Sequence, residues 1–164
     1  MIELTISGLG IDSSNNSPVV LLKEKDGERV LPIWIGPSEA SAIAMEISGV
    51  KFKRPLTHDL FKQCLLDLGV SMEYVFIHEL KENTYYARIL LNRDGERFEL
   101  DARPSDSIAL AIRMKASIHT TEELLDNASK IIPKTVTQTE EYDPEALRET
   151  LRKMNPEDFG KFTF

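Results

Sequence analysis

Apolar and polar positions follow two different periods along this chain, and the changes of period divide it into elements. Short aliphatic and β-branched runs cover residues 19–25, 28–35, 85–92 and 96–102. Runs of this length and composition read as strands. The first two flank Asp26-Gly27 and the last two flank Asp94-Gly95. Asp-Gly between apolar runs predicts a hairpin with a type I′ turn, because that turn needs positive φ at both central residues. The N-terminal Met1-Ile2-Glu3-Leu4-Thr5-Ile6 has an acid among its apolar residues and no basic run, so it reads as a first strand rather than a signal peptide.

The helical period of 3.6 takes over after each of two prolines. Ala40, Ile43, Ala44 and Ile47 follow the i, i+3, i+4, i+7 rule after Pro37, and Gly49 suits a C-terminal stop. Ile108, Ala111 and Ile112 form the stripe after Pro104. Proline at the first helical position costs nothing, since its missing N–H would be unpaired there. Thr57 is expected to cap a third helix bearing Leu60, Phe61, Cys64, Leu65 and Leu68, closed by Gly69. Residues 70–80 then read as a strand and 81–84 as a turn. Thr120-Thr121-Glu122-Glu123 resembles a capping box opening a short helix with Leu124 and Leu125. After Pro133 the pattern lapses into a polar stretch. Asp143-Pro144 then opens a short helix with Leu147, Leu151 and Met154, and Phe159, Phe162 and Phe164 follow. The expected organisation is one domain over 1–133 and a polar C-terminal tail over 134–164.

The two hairpin–helix segments match each other. Asp-Gly-Glu-Arg is identical at 26–29 and 94–97, and Pro-Ser-acid recurs at 37–39 and 104–106. Two matches in the same order point to an internal duplication. The expected fold is therefore α+β: a mixed or antiparallel sheet with packed helices, built from a duplicated β-hairpin–helix unit.

Composition narrows the function classes. With 41% hydrophobic and 29% charged residues the chain is globular. A single cysteine, Cys64, excludes a disulfide scaffold and a cysteine-rich zinc site, and a reducing cytoplasm is the expected setting. No apolar run approaches the ~20 residues of a membrane span. The net charge of −7 opposes non-specific binding of nucleic acid by the whole surface, but not a local basic site. There is no Walker loop, Rossmann glycine fingerprint, His-Glu-x-x-His or Gly-x-Ser-x-Gly motif.

Three groups of residues could carry chemistry. Glu39 and Asp106 stand at matching third helical positions. They are either a carboxylate pair able to bind a divalent cation, or helix caps that the duplication copied. His58 and Asp59 open the third helix beside Lys51, Lys53, Arg54 and Lys62, the one concentration of positive charge. A helix start with nearby cations suits a phosphate, and histidine can exchange protons near neutral pH. The bland alternative is a solvated basic loop. Asp101, Arg103, Ser105 and Asp106 cluster at the start of the second repeat helix, with Arg103 where the first copy has Gly36. The alternative there is a surface Arg–Asp pair of little energy. His78 and His119 lie in strand-like runs and read as packed or surface residues, and Trp34 as core or subunit interface.

The segments 31–40, 54–60 and 101–109 (Leu-Pro-Ile-Trp-Ile-Gly-Pro-Ser-Glu-Ala, Arg-Pro-Leu-Thr-His-Asp-Leu and Asp-Ala-Arg-Pro-Ser-Asp-Ser-Ile-Ala) together resemble the bifunctional nuclease domain family. The resemblance covers roughly residues 1 to 130. It implies a compact α+β fold, a homo-oligomer, and nuclease action on DNA and RNA. On that reading His58, Glu39, Asp106 and Asp59 are the candidate catalytic residues. Arg54, Arg103, Lys53 and Ser105 would hold substrate, and Mg²⁺ or Mn²⁺ is the candidate cofactor. The competing reading is a non-enzymatic oligomeric module that binds a protein or a small anion at the 54–59 loop. Geometry separates the two: a single-site nuclease needs His58 close to Glu39 and Asp106.

Overall fold

The computed structural model describes residues 1–12, 14–130 and 136–137. Strands form over each of the predicted runs, and the first continues past the predicted Ile6 to Asp12. β1 (Ile2–Asp12), β2 (Ser17–Glu24) and β3 (Val30–Trp34) form one antiparallel meander. β4 (Ser71–Lys81), β5 (Thr84–Arg93) and β6 (Glu96–Ala102) form a second. A four-residue strand, β7 (Ser117–Thr120), joins them, antiparallel to β1 and parallel to β4. The result is one mixed sheet in the order β3-β2-β1-β7-β4-β5-β6, with β8 (Val136–Thr137) against the far end of β1. Four helices complete the α+β fold: α1 (Pro37–Ile47), α2 (Thr57–Asp67), α3 (Pro104–Met114) and α4 (Glu122–Ser129). Hairpin followed by helix thus occurs twice, as β2-β3-α1 and β5-β6-α3. The expected helix at 144–154 and the terminal phenylalanines lie outside the described residues.

The two Asp-Gly turns differ. Asp94 (φ 53°) and Gly95 (φ 87°) are both left-handed, as a type I′ turn requires. Asp26 and Gly27 are not. There the strands stop earlier, and the link is organised by Arg29. Its backbone carbonyl accepts from the Glu24 N–H at 2.9 Å. Its guanidinium holds the Glu24 carboxylate at 2.7 and 2.9 Å and reaches Glu122 and Asp126 on α4. Identical tetrapeptides therefore fold differently because only one of them meets a distant acidic pair.

α3 is the buried centre of the helix layer. It packs on α1, α2, β4, β5 and β7, and its small residues Ser105, Ser107, Ala109 and Ala111 allow that close approach. The Ser107 hydroxyl donates to the Arg103 carbonyl at 2.9 Å, so its burial leaves no unpaired polar group. α1 buries Ile43 and Ala44 as expected, but also Met45, while Ile47 is exposed, because the helix faces both α3 and β2. The expected apolar stripe of α2 is corrected more strongly. Leu65 alone is buried; Leu60, Phe61, Cys64 and Leu68 are exposed, since α2 leans chiefly on α3. Thr57 is the first helical residue of α2 and Leu56 takes the cap position. At α4 the cap forms one residue later than the Thr120–Glu123 capping box would place it, with Thr121 Oγ1 accepting from the Leu124 N–H at 3.1 Å.

Candidate active site

Proline sets the N-termini of α1 and α3 at matching places, so Glu39 and Asp106 both fall on the third residue of their helices. Packing α1 against α3 brings those two ends side by side. Arg103 bridges them: Nε and Nη2 donate to Asp106 at 2.7 and 3.1 Å, and Nη1 meets Glu39 Oε1 at 3.0 Å. The two acids are thus an ion-pair cluster rather than simple caps. A Cβ at Gly36 would meet the Glu39 carboxylate, which a side-chain rotation could relieve.

The N-terminus of α2 supplies the third component. His58 Nε2 lies 3.3 Å from Asp106 Oδ1. Three helix N-termini thus converge, carrying Glu39, His58 and the Arg103–Asp106 pair. They border a cleft of about 610 Å³ whose apolar wall is Ala42, Met45, Phe52, Pro55 and Leu56. Partial burial pushes the Asp106 carboxyl up, but the hydrogen bond and charge of Arg103, together with His58, outweigh it and hold its pKa below the ordinary 3.8. Asp106 in turn holds the Arg103 guanidinium more firmly protonated.

The other expected site residues divide between neighbouring clefts. Lys53 and Arg54 line a second cleft of about 430 Å³ together with Lys51 and Lys62, sharing Met45, Phe52, Pro55 and Leu56 with the first. Ser105 lines a third, of about 390 Å³, beyond the Glu39–Arg103 pair and beside Trp34 and Tyr85. Trp34 is half-buried, its Nε1 donating to Asp12 at 2.8 Å. His78 and His119 sit in β4 and β7, away from the cleft.

Asp59 does not join His58 in the cleft. Its carboxylate accepts from the Leu56 N–H at 3.1 Å and from Arg113 Nε at 2.7 Å. Arg113 was not singled out from the sequence, where a basic residue in the last turn of a helix reads as a complement to the helix dipole. Its side chain is only 3% exposed. It also donates to the carbonyls of Ala109 and Ala42, at 2.8 and 3.0 Å, and so ties α1, α2 and α3 together. Asp59 is pushed up by partial burial, but Arg113 and the Leu56 N–H outweigh that and its pKa is lowered.

Both lowered carboxylates stabilise the fold while they are ionised. That contribution is complete above their unfolded-state pKa near 4 and is lost as the pH falls through the lower folded values. Thermal melts are expected to show a Tm that declines below about pH 4. The decline should be shallower in an Asp59→Asn variant, which has one fewer such group.

Among the described residues, no group of three or more His, Cys, Asp and Glu side chains is placed to hold a metal ion. Arg103 occupies both Glu39 and Asp106, so a cation there would have to displace a guanidinium. The residues do not fit a ready-made cation site. No helix among the described residues is long and apolar enough to cross a membrane.

A family model described as the bifunctional nuclease domain matches residues 20–133, from β2 through α4, and so includes every residue of the cleft. The chain belongs to the bifunctional nuclease domain family. A relative in Mycobacterium tuberculosis, described as an uncharacterized protein, is 41% identical over 162 residues, covering 96% of this chain and 97% of its own. Bifunctional nuclease 1 of Oryza sativa is 26% identical over 132 residues, 78% of this chain and 40% of the plant protein. Bifunctional nuclease 2 of the same plant is 30% identical over 115 residues, 68% of this chain and 35% of that protein. This family member therefore spans well under half the length of its plant relatives.

Proposed function

We propose that the cleft at the three helix N-termini is a nuclease site that hydrolyses phosphodiester bonds in DNA, RNA or both. The observation that carries the proposal is the convergence of His58, Asp106, Arg103 and Glu39. These residues come from three helices, and the chain belongs to a family with plant relatives named as nucleases.

On this reading Glu39 anchors Arg103 and the other groups act on the substrate. With Nε2–H donated to Asp106, the neutral imidazole of His58 keeps Nδ1 able to accept a proton from an attacking water. The water oxygen forms the new bond to phosphorus, and the ester oxygen leaves with a proton returned from the imidazolium or from solvent. Asp106 orients the ring and stabilises its charged form. Arg103 is 66% exposed, so it can meet a phosphate while remaining anchored to Asp106. The helix N-termini add partial positive charge where the phosphate would sit. Lys53 and Arg54, in the adjoining cleft, extend the cationic path for the backbone, which offsets an overall charge of −7. Ser105 borders the cleft on the other side of Arg103 but is only 8% exposed, so its part is to pack the start of α3 rather than to hold substrate. Asp59 is assigned to holding α2 in place rather than to reaction.

The test is cleavage of labelled RNA and single-stranded DNA by the wild type, Asp106→Asn and Glu39→Gln, purified identically, with and without Mg²⁺ or Mn²⁺. Cleavage by the wild type and its loss in folded Asp106→Asn is the expected result. Equal cleavage by all three would trace the activity to a contaminant or another site. No cleavage by any would leave the non-enzymatic binding module as the reading of the cleft.

A further inference from the structure

Hydrolysis at the polar end of the cleft leaves its apolar wall without a role. Four residues of that wall, Met45, Phe52, Pro55 and Leu56, are shared with the adjoining cleft of about 430 Å³. To them the first cleft adds His58, Arg103 and Asp106. The second adds Lys51, Lys53, Arg54 and Lys62. Of these four cations only Lys51 meets a carboxylate among the described residues, Glu46 at 3.4 Å. One apolar surface thus adjoins two places suited to a phosphate.

Leu56 is the most informative part of the wall. It holds the N-cap position of α2, where leucine is among the poorest residues and serine, threonine, aspartate and asparagine are preferred. It is also 36% exposed, so burial in the core does not account for it. A local rule broken without a gain in folding is expected where function needs the residue.

We infer, resting on the nuclease reading for the identity of the ligand, that this wall seats one nucleobase of a single-stranded substrate. Its flanking phosphates would lie at His58 and Arg103 in the first cleft and at Lys53 and Arg54 in the second. Unpaired bases offer flat faces that pack on apolar and aromatic side chains, and such packing accepts every base. In a duplex those faces are stacked on one another, and lodging one first costs its pairing and stacking. A cleft of about 610 Å³ is of the size that takes a small organic ligand. The hydroxyls that line it, on Ser38 and Thr57, each donate and accept, so they can meet the edge of any base. The site therefore favours single strands over duplexes and selects little among sequences. With a net charge of −7, contact with the base supplies affinity that phosphate contacts over the whole surface do not.

Fluorescence anisotropy tests this with three labelled probes of equal length: a mixed-sequence single strand, its duplex, and a strand of abasic nucleotides that keeps the phosphates. A denaturing gel after each titration confirms that the probe is intact. The wild type is expected to bind the single strand about tenfold or more tighter than either other probe. Leu56→Ser puts a better cap on α2, and a thermal melt checks that the fold is retained. It should lose most of the preference for the single strand while binding the abasic strand as the wild type does. The double variant Lys53→Gln/Arg54→Gln should instead weaken the single strand and the abasic strand alike. Equal wild-type affinity for the single strand and either other probe overturns the base site. So does a preference that survives in Leu56→Ser, and so does failure to bind any probe. Hydrolysis stands or falls separately. Strands bound with the base preference but never cleaved would keep the base site and remove the nuclease reading. Cleavage without the preference would keep the nuclease reading and remove the base site.

Discussion

Asp59→Ala is expected to lower the stability of the chain by about 3 kcal/mol, the lower end of the cost of breaking a buried ion pair. The cost falls on Arg113 more than on Asp59. The aspartate is about one-third exposed, but the guanidinium is 3% exposed and would be left with only the longer contact to Glu46, at 4.0 Å, as its ion pair. The Leu56 N–H at the start of α2 loses its acceptor at the same time. For a chain of this size the corresponding fall in Tm is about 6–12 °C. The double variant Asp59→Ala/Arg113→Met is expected to recover much of the loss, because an apolar replacement for both partners leaves no buried charge. A double-mutant cycle on thermal melts measures the coupling. Independent, additive effects of the two substitutions would show that the pair does not hold the helices. The consequence for the site is geometric. Asp59 and Arg113 fix the helix end that carries His58, so Asp59→Ala should impair any activity together with stability.

His58→Ala is expected to behave in the opposite manner. It removes one long, part-buried hydrogen bond of 3.3 Å, so its effect on stability should stay within about 1 kcal/mol. If the imidazole moves the proton in phosphodiester hydrolysis, the same substitution should slow cleavage by about 10²–10⁴-fold. The contrast between the two variants is the useful quantity. A stable but inactive His58→Ala beside a destabilised Asp59→Ala would separate the reacting residue from the supporting one, although the two are neighbours in sequence. Full activity in folded His58→Ala would remove the histidine from the chemistry.

The parts legible in the sequence are those set by forces acting over a few residues. Aliphatic and β-branched runs marked the long strands of the sheet apart from the second half of β1, and Pro37 and Pro104 marked the first residues of α1 and α3. Asp94-Gly95 specified its turn because the backbone alone decides which residues tolerate positive φ. The nuclease-family resemblance was readable for a similar reason: its motifs are continuous segments, and the family match covers them. The alignment of Glu39 and Asp106 followed from the matching helix starts.

What tertiary structure decided is which distant groups meet. Asp26-Gly27 took a different turn from its identical counterpart because Arg29 finds acids on α4, far along the chain. The apolar stripe of α2 predicted burial of five residues, but period alone does not say how many neighbours a helix has, and α2 has chiefly α3. His58 and Asp59 looked like one unit by sequence. Adjacent residues on a helix point about 100° apart, so packing sent one carboxylate to Arg113 and left the imidazole facing Asp106. Local chemistry therefore determined the elements and where the charges stand on them. Packing of three helix ends onto one another determined which of those charges became a site, because contacts between residues about fifty positions apart depend on how whole elements bury their faces rather than on anything their own neighbours specify.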